Sequence, residues 1–128
     1  MRALTPDTIH PPFGAYSHGT EIPAGWRVVR TSGQLGVDAD DVTPESVREQ
    51  ADICFDNIRA ILAQAGMGPQ DVAHISGFVT DRTYFPEYMA ARDAFVVGDR
   101  KPSSTLLIVS GFTRPEFKVE VEVIAAAP

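Results

Sequence analysis

Lys101-Pro-Ser-Ser-Thr-Leu-Leu-Ile-Val-Ser110 and Lys118-Val-Glu-Val-Glu-Val-Ile-Ala125 decide how this chain folds. The first run carries Leu106, Leu107, Ile108 and Val109 in succession, apolar on both faces of the strand they predict. The second alternates, with Val119, Val121 and Val123 on one side and Lys118, Glu120 and Glu122 on the other. Gly111 to Phe117, broken by Pro115, reads as the connection between two antiparallel strands. A strand apolar on both faces needs cover on both, and the rest of the chain has helix for only one. The second face is therefore expected to meet another subunit, with Leu106 and Ile108 on it as an apolar patch that a monomer would rarely expose.

Upstream, Val47, Ala51, Cys54, Phe55, Ile58, Ile61, Leu62 and Ala65 recur at steps of three and four, an amphipathic helix that stops at Gly66. Thr43-Pro44-Glu45 offers its start: a hydroxyl cap, a proline at the first position and an acid in the first turn. Asp71 to Thr80 reads as a strand. A second helix follows Thr83, with Pro86 in its first turn, Tyr88, Ala91 and Phe95 as its apolar stripe, and Gly98 beyond its end. Gly14 to Gly19 and Trp26 to Thr31, joined by Pro23-Ala24-Gly25, read as a hairpin. Residues 1–13, with Pro6, Pro11 and Pro12, read as an extended lead-in. The expected fold is α+β in the order β-β-α-β-α-β-β, a mixed sheet with both helices on one face.

The 128 residues make one domain, 1–128, large enough to bury a core without disulfides or metals. The net charge of −6, with no cluster of Lys or Arg, argues against a nucleic-acid partner. The single Cys54 excludes an intrachain disulfide and a multi-cysteine zinc site, and inside the helical stripe it reads as a buried structural thiol. No signal-like segment or membrane-length apolar run appears, so a soluble, cytoplasmic protein with no membrane partner is expected.

Residues that suit chemistry are few. Glu120 and Glu122 share one strand face, roughly 6.6 Å apart, and paired carboxylates serve either acid–base work or a solvated face. His10, His18 and His74 have no ligand spacing, so no metal is expected. Gly33-Gln34-Leu35-Gly36 matches no phosphate loop. Arg82, Arg100 and Arg114 fall in loops, from which an anion can be reached.

Gly14-Ala15-Tyr16-Ser17, Thr31-Ser32-Gly33-Gln34, Ala60-Ile61-Leu62-Ala63-Gln64-Ala65-Gly66 and Glu120-Val121-Glu122-Val123-Ile124-Ala125 together resemble the Rid (YjgF-like) family, in order and nearly end to end. The resemblance implies a chorismate-mutase-like fold assembled as a homotrimer around a central β-barrel, with clefts between neighbouring subunits. Members of the RidA type hydrolyse reactive enamines and imines without any cofactor. By resemblance, Tyr16 lines the cleft, Ser32 and Gly33 form its floor, and Glu122 orients the attacking water, making Glu122 and Tyr16 the catalytic candidates.

The departures from the family pattern bear on the substrate. Pro102-Ser103-Ser104-Thr105-Leu106 places Ser104 where the family has a carboxylate-clamping arginine. Leu106 stands at a small-residue position, Met89 replaces a helix asparagine, and Arg114 is the candidate substitute for the lost charge. Three readings follow: an imine or enamine deaminase with 2-imino acid activity in doubt, a non-catalytic trimer that binds a small metabolite, and an endoribonuclease.

Overall fold

The computed structural model describes residues 1–128. Along the chain run β1 (Arg2–Leu4), β2 (Gly19–Glu21), β3 (Arg27–Arg30), β4 (Gln34–Leu35), α1 (Val47–Gln64), β5 (Val72–Val79), α2 (Phe85–Phe95), β6 (Ser103–Ile108) and β7 (Val119–Ala127). The main sheet has the order β3-β7-β5-β6, with β4 continuing β3 along the same edge of β7. All its pairings are antiparallel except β5 with β6. Between β3 and β4, Thr31 keeps the ladder closed, its N–H donating to the Val123 carbonyl and its Oγ1 accepting from the Val123 N–H.

Both helices cover one face of this mixed sheet. The alternation of β7 sends Val119, Val121, Val123 and Ala125 into a core with Phe55, Ile58, Leu62, Ile75, Tyr88 and Phe95. Burying each large aliphatic or aromatic side chain contributes about 1.5–3 kcal/mol, so this face dominates stability. α2 comes close to β5 because Gly77 has no Cβ; one there would collide with the Tyr88 ring and hydroxyl. At the sheet's other end the fully buried Gln50 ties α1 to the chain before β7. Its amide donates to the Pro44 and Glu116 carbonyls, and its oxygen accepts from the Lys118 N–H. Cys54 lies in this core, where burial first and the Glu120 charge second push its thiol up to about 12.

Several expectations need correction. The lead-in contains β1, which pairs antiparallel with β2, so no hairpin joins residues 14–19 to 26–31. Gly14 to Ser17 is instead tied to the start of β6: Ser17 N–H donates to the Pro102 carbonyl and its Oγ donates to the Lys101 carbonyl. β3 finds its partner in the far longer β7. The cap of α1 is Ser46, whose Oγ accepts from the Glu49 N–H, and not Thr43. The last two strands do run antiparallel, but β5 lies between them.

The largest correction concerns the two faces of β6. The register Ile75↔Ser104, Gly77↔Leu106 and Val79↔Ile108 puts Ser104, Leu106 and Ile108 on the helix side, because Ile75 and Val79 point into the core. Leu106 and Ile108 are therefore not on the uncovered face. That face carries Leu107, which is 50% exposed, beside Thr105 and Phe78, and at its opposite edge the exposed Val28.

Candidate functional site

α2, the helix side of β6 and the N-terminal segment enclose a cleft of about 300 Å³. Its wall on α2 is Phe85, Met89 and Arg92, spaced i, i+4, i+7 and so in line on one face. β6 contributes Ser104 and Leu106, which share that side of the strand by its period of two. Phe13 and Tyr16 close it from the N-terminal segment. Tyr16 is held by its phenol oxygen, which accepts from the Phe13 N–H at 3.1 Å, and by its ring, which the Arg92 guanidinium approaches to 5.9 Å. Accepting that bond leaves the Tyr16 O–H free to donate. Gly14 lets the segment approach α2, since a Cβ there would sit 3.3 Å from Met89 Cε.

The other candidates lie on the open face. Glu120 pairs with Phe78 and Leu35, and Glu122 with Ser76, so both carboxylates stand on the side away from the helices. Gly33 abuts Glu120 so closely that a Cβ would overlap its carboxylate. Ser32, next to it, is exposed. Burial pushes the Glu120 carboxyl above the usual range, and the Glu122 charge adds to this. The same two influences oppose each other at His74, where burial lowers the imidazole and Glu122 raises it. Arg30 reaches Glu122 only at 4.0 Å and is largely exposed, a contact of little strength.

A raised carboxyl has a consequence for stability. Above its raised pKa, Glu120 is charged in a place that disfavours charge; below the ordinary glutamate value it is neutral both folded and unfolded. Glu120's own contribution is therefore most favourable in acid and is lost as pH rises through the raised pKa. Glu120→Gln is expected to raise the melting temperature at neutral pH, with the gain shrinking near about pH 3, where glutamates are protonated. Thermal melts at both pH values check this, and an equal gain at both would break the link to ionisation.

Within one chain the sequence candidates thus fall into two groups. Tyr16, Met89, Ser104 and Leu106 meet in the cleft, while Glu122 stands on the open face and Gly33, next to the exposed Ser32, abuts Glu120 there. Arg114 joins neither: it is paired with Asp41 at 2.9 Å, lies over Phe117, and Asp41 raises its pKa. Arg92, Phe13 and Phe85 escaped sequence reasoning. The i, i+4, i+7 spacing of Phe85, Met89 and Arg92 was the available signal. No group of three His, Cys, Asp or Glu side chains is placed to hold a metal ion, and no helix is long and apolar enough to cross a membrane.

Comparison with known proteins bears on nearly the whole chain. The family model described as endoribonuclease L-PSP matches residues 8–127. The RutC family protein YjgH of Escherichia coli is 29% identical over 128 residues, covering 98% of this chain and 95% of that one. A protein of Salmonella typhimurium named 2-iminobutanoate/2-iminopropanoate deaminase is 30% identical over 116 residues, 88% of each chain. Among solved structures, the Rid family protein YyfB from Yersinia pestis, described as of unknown function, superposes with a TM-score of 0.88 at 25% identity, covering 98% of each chain. RidA from an Antarctic Psychrobacter superposes at 0.73 with 26% identity, covering 99% of this chain and 100% of its own.

Proposed function

Because the chain belongs to the YjgF/Rid family, we propose that it is a cofactor-independent hydrolase of reactive enamines or imines, working in a cleft shared between subunits of a homotrimer. The observation that carries this reading is the similarity over 88% of both chains to a protein named 2-iminobutanoate/2-iminopropanoate deaminase. The split of the candidate residues between two faces supports a shared site. A neighbour's open face, with Glu120 and Glu122, would complete the cleft of Tyr16 and Ser104. The exposed Leu107 and Val28 on that face support its burial between copies, around a central barrel.

The chemistry asks little of the protein. An imine carbon is already electrophilic, so a held water and a proton source suffice. Glu122 accepts a proton as the water oxygen bonds to the imine carbon, and the nitrogen takes a proton as the C=N bond opens. Glu120, with its raised pKa, suits the donor, since a carboxyl that keeps its proton to higher pH has one to give to the nitrogen. Collapse of the carbinolamine breaks the C–N bond and releases ammonia, leaving a 2-oxo product.

β6 supplies Ser104 and no guanidinium, so the cleft lacks a charge-assisted bidentate clamp at that position. The imines of alanine and 2-aminobutyrate, with little apolar body to add, are expected to turn over about ten- to a hundred-fold less efficiently than with arginine-bearing relatives. An amino-acid oxidase can generate a panel of imines, with semicarbazide trapping what remains. Accelerated loss of some imine on the panel is expected. If the protein accelerates none, the reading fails, and ligand binding without turnover would mark a binding protein.

A further inference from the structure

We propose that the cleft contains a carboxylate-binding subsite made by Arg92 and Ser104, which favours anions with a large apolar body over small ones. Arg92 holds its cation where solvation is scarce, with a side chain only 3% exposed. Its Nε and Nη2 both donate to Asp93 Oδ1, at 3.2 and 3.1 Å, and no acceptor of the chain takes up Nη1. Asp93 is half-exposed, so water screens its side of the pair. Ser104 brings a second unmet group to the same cleft: its Oγ is sealed from solvent and has no hydrogen-bond partner. Buried polar groups normally find partners, and an unpartnered Ser104 hydroxyl in the same cleft as a buried guanidinium with its Nη1 unused points to a ligand that supplies both.

A carboxylate fits both. One oxygen can accept from the Arg92 guanidinium and the other from the Ser104 hydroxyl once a χ1 rotation turns its Oγ to the cleft surface. The remaining walls are Phe13, Phe85, Met89 and Leu106, which offer contact to an apolar body, and Tyr16, which adds its ring and an O–H free to donate. With one cation already shared with Asp93, a monoanion is better matched than a phosphate dianion. This deepens the proposed reaction and rests on it for the substrate class: imines of amino acids with bulky apolar side chains. The binding itself stands apart from any turnover.

Phenylacetate, phenylacetamide and acetate test this by titration calorimetry on the full chain. Phenylacetate is expected to bind at least about tenfold more tightly than either its neutral amide or acetate. Arg92→Met should weaken phenylacetate by about ten- to a hundred-fold and leave phenylacetamide where it was. Ser104→Ala should weaken phenylacetate a few-fold, and this smaller change carries the test if circular dichroism shows Arg92→Met unfolded. Equal binding of acid and amide, unchanged affinity in the folded variants, or no binding of phenylacetate at millimolar concentration would overturn the subsite. A protein that binds phenylacetate through Arg92 and hydrolyses no imine would sink the proposed reaction and leave the subsite standing.

Discussion

Leu107→Asp is expected to turn the proposed trimer into single chains of 13.9 kDa. Leu107 stands on the face that neither helix covers, half-exposed beside Phe78 and Thr105. If three such faces meet, the change buries an unpaired carboxylate three times over, at several kcal/mol each. It also adds charge to a face that already carries Glu120 and Glu122. The core is on the opposite side of the sheet, so the variant should keep its helical circular dichroism while its mass in light scattering falls to one third. Two results would count against the open face as the interface: a variant that keeps the wild-type mass, and a wild type that is already monomeric at micromolar concentration.

Glu122→Gln is expected to lower kcat for the best imine of the panel by about 10²–10⁴-fold, the usual worth of a positioned general base. Glutamine keeps the size and the hydrogen-bonding reach of the side chain but cannot take the proton of the attacking water. Phenylacetate affinity should not weaken, because its anchors are Arg92 and Ser104 and the change takes only a like charge away from the shared cleft. Steady-state rates set beside calorimetry separate the two effects. Retention of more than about half of the wild-type rate would remove Glu122 from the reaction, and Glu120, pressed against Gly33, would become the carboxylate to replace next.

How far residues alone led can be judged from particular elements. α1 was readable because its stripe of Val47, Ala51, Cys54, Phe55, Ile58 and Leu62 has a period that no strand can satisfy. β7 was readable for the converse reason. The direction of β6 was not. A period of two divides Ser104, Leu106 and Ile108 from Ser103, Thr105 and Leu107, but both sets mix polar and apolar residues. Only the parallel register against Ile75 and Val79 decides which set meets the helices. β1 and β2 are three residues each and without contrast between faces, so nothing marked them. The cleft was half legible: Tyr16, Met89, Ser104 and Leu106 do converge. Arg92 was missed because a charged residue in an amphipathic helix is ordinarily taken for its wet side, and here its long stem runs along the apolar wall instead.

The position of β7 also governs when this protein can come into being during synthesis. β3, β4 and β5 each lean on β7 and not on one another, yet residues 119–127 are translated after all of them. A nascent chain that has reached residue 110 holds α1, β5, α2 and β6 complete, with the Val119, Val121 and Val123 side of its core still missing. Until β7 slots between the earlier strands, the ladder edges of β3 and β5 stand open to any other extended segment. The vulnerable interval therefore lasts until those nine residues have emerged and reached the sheet.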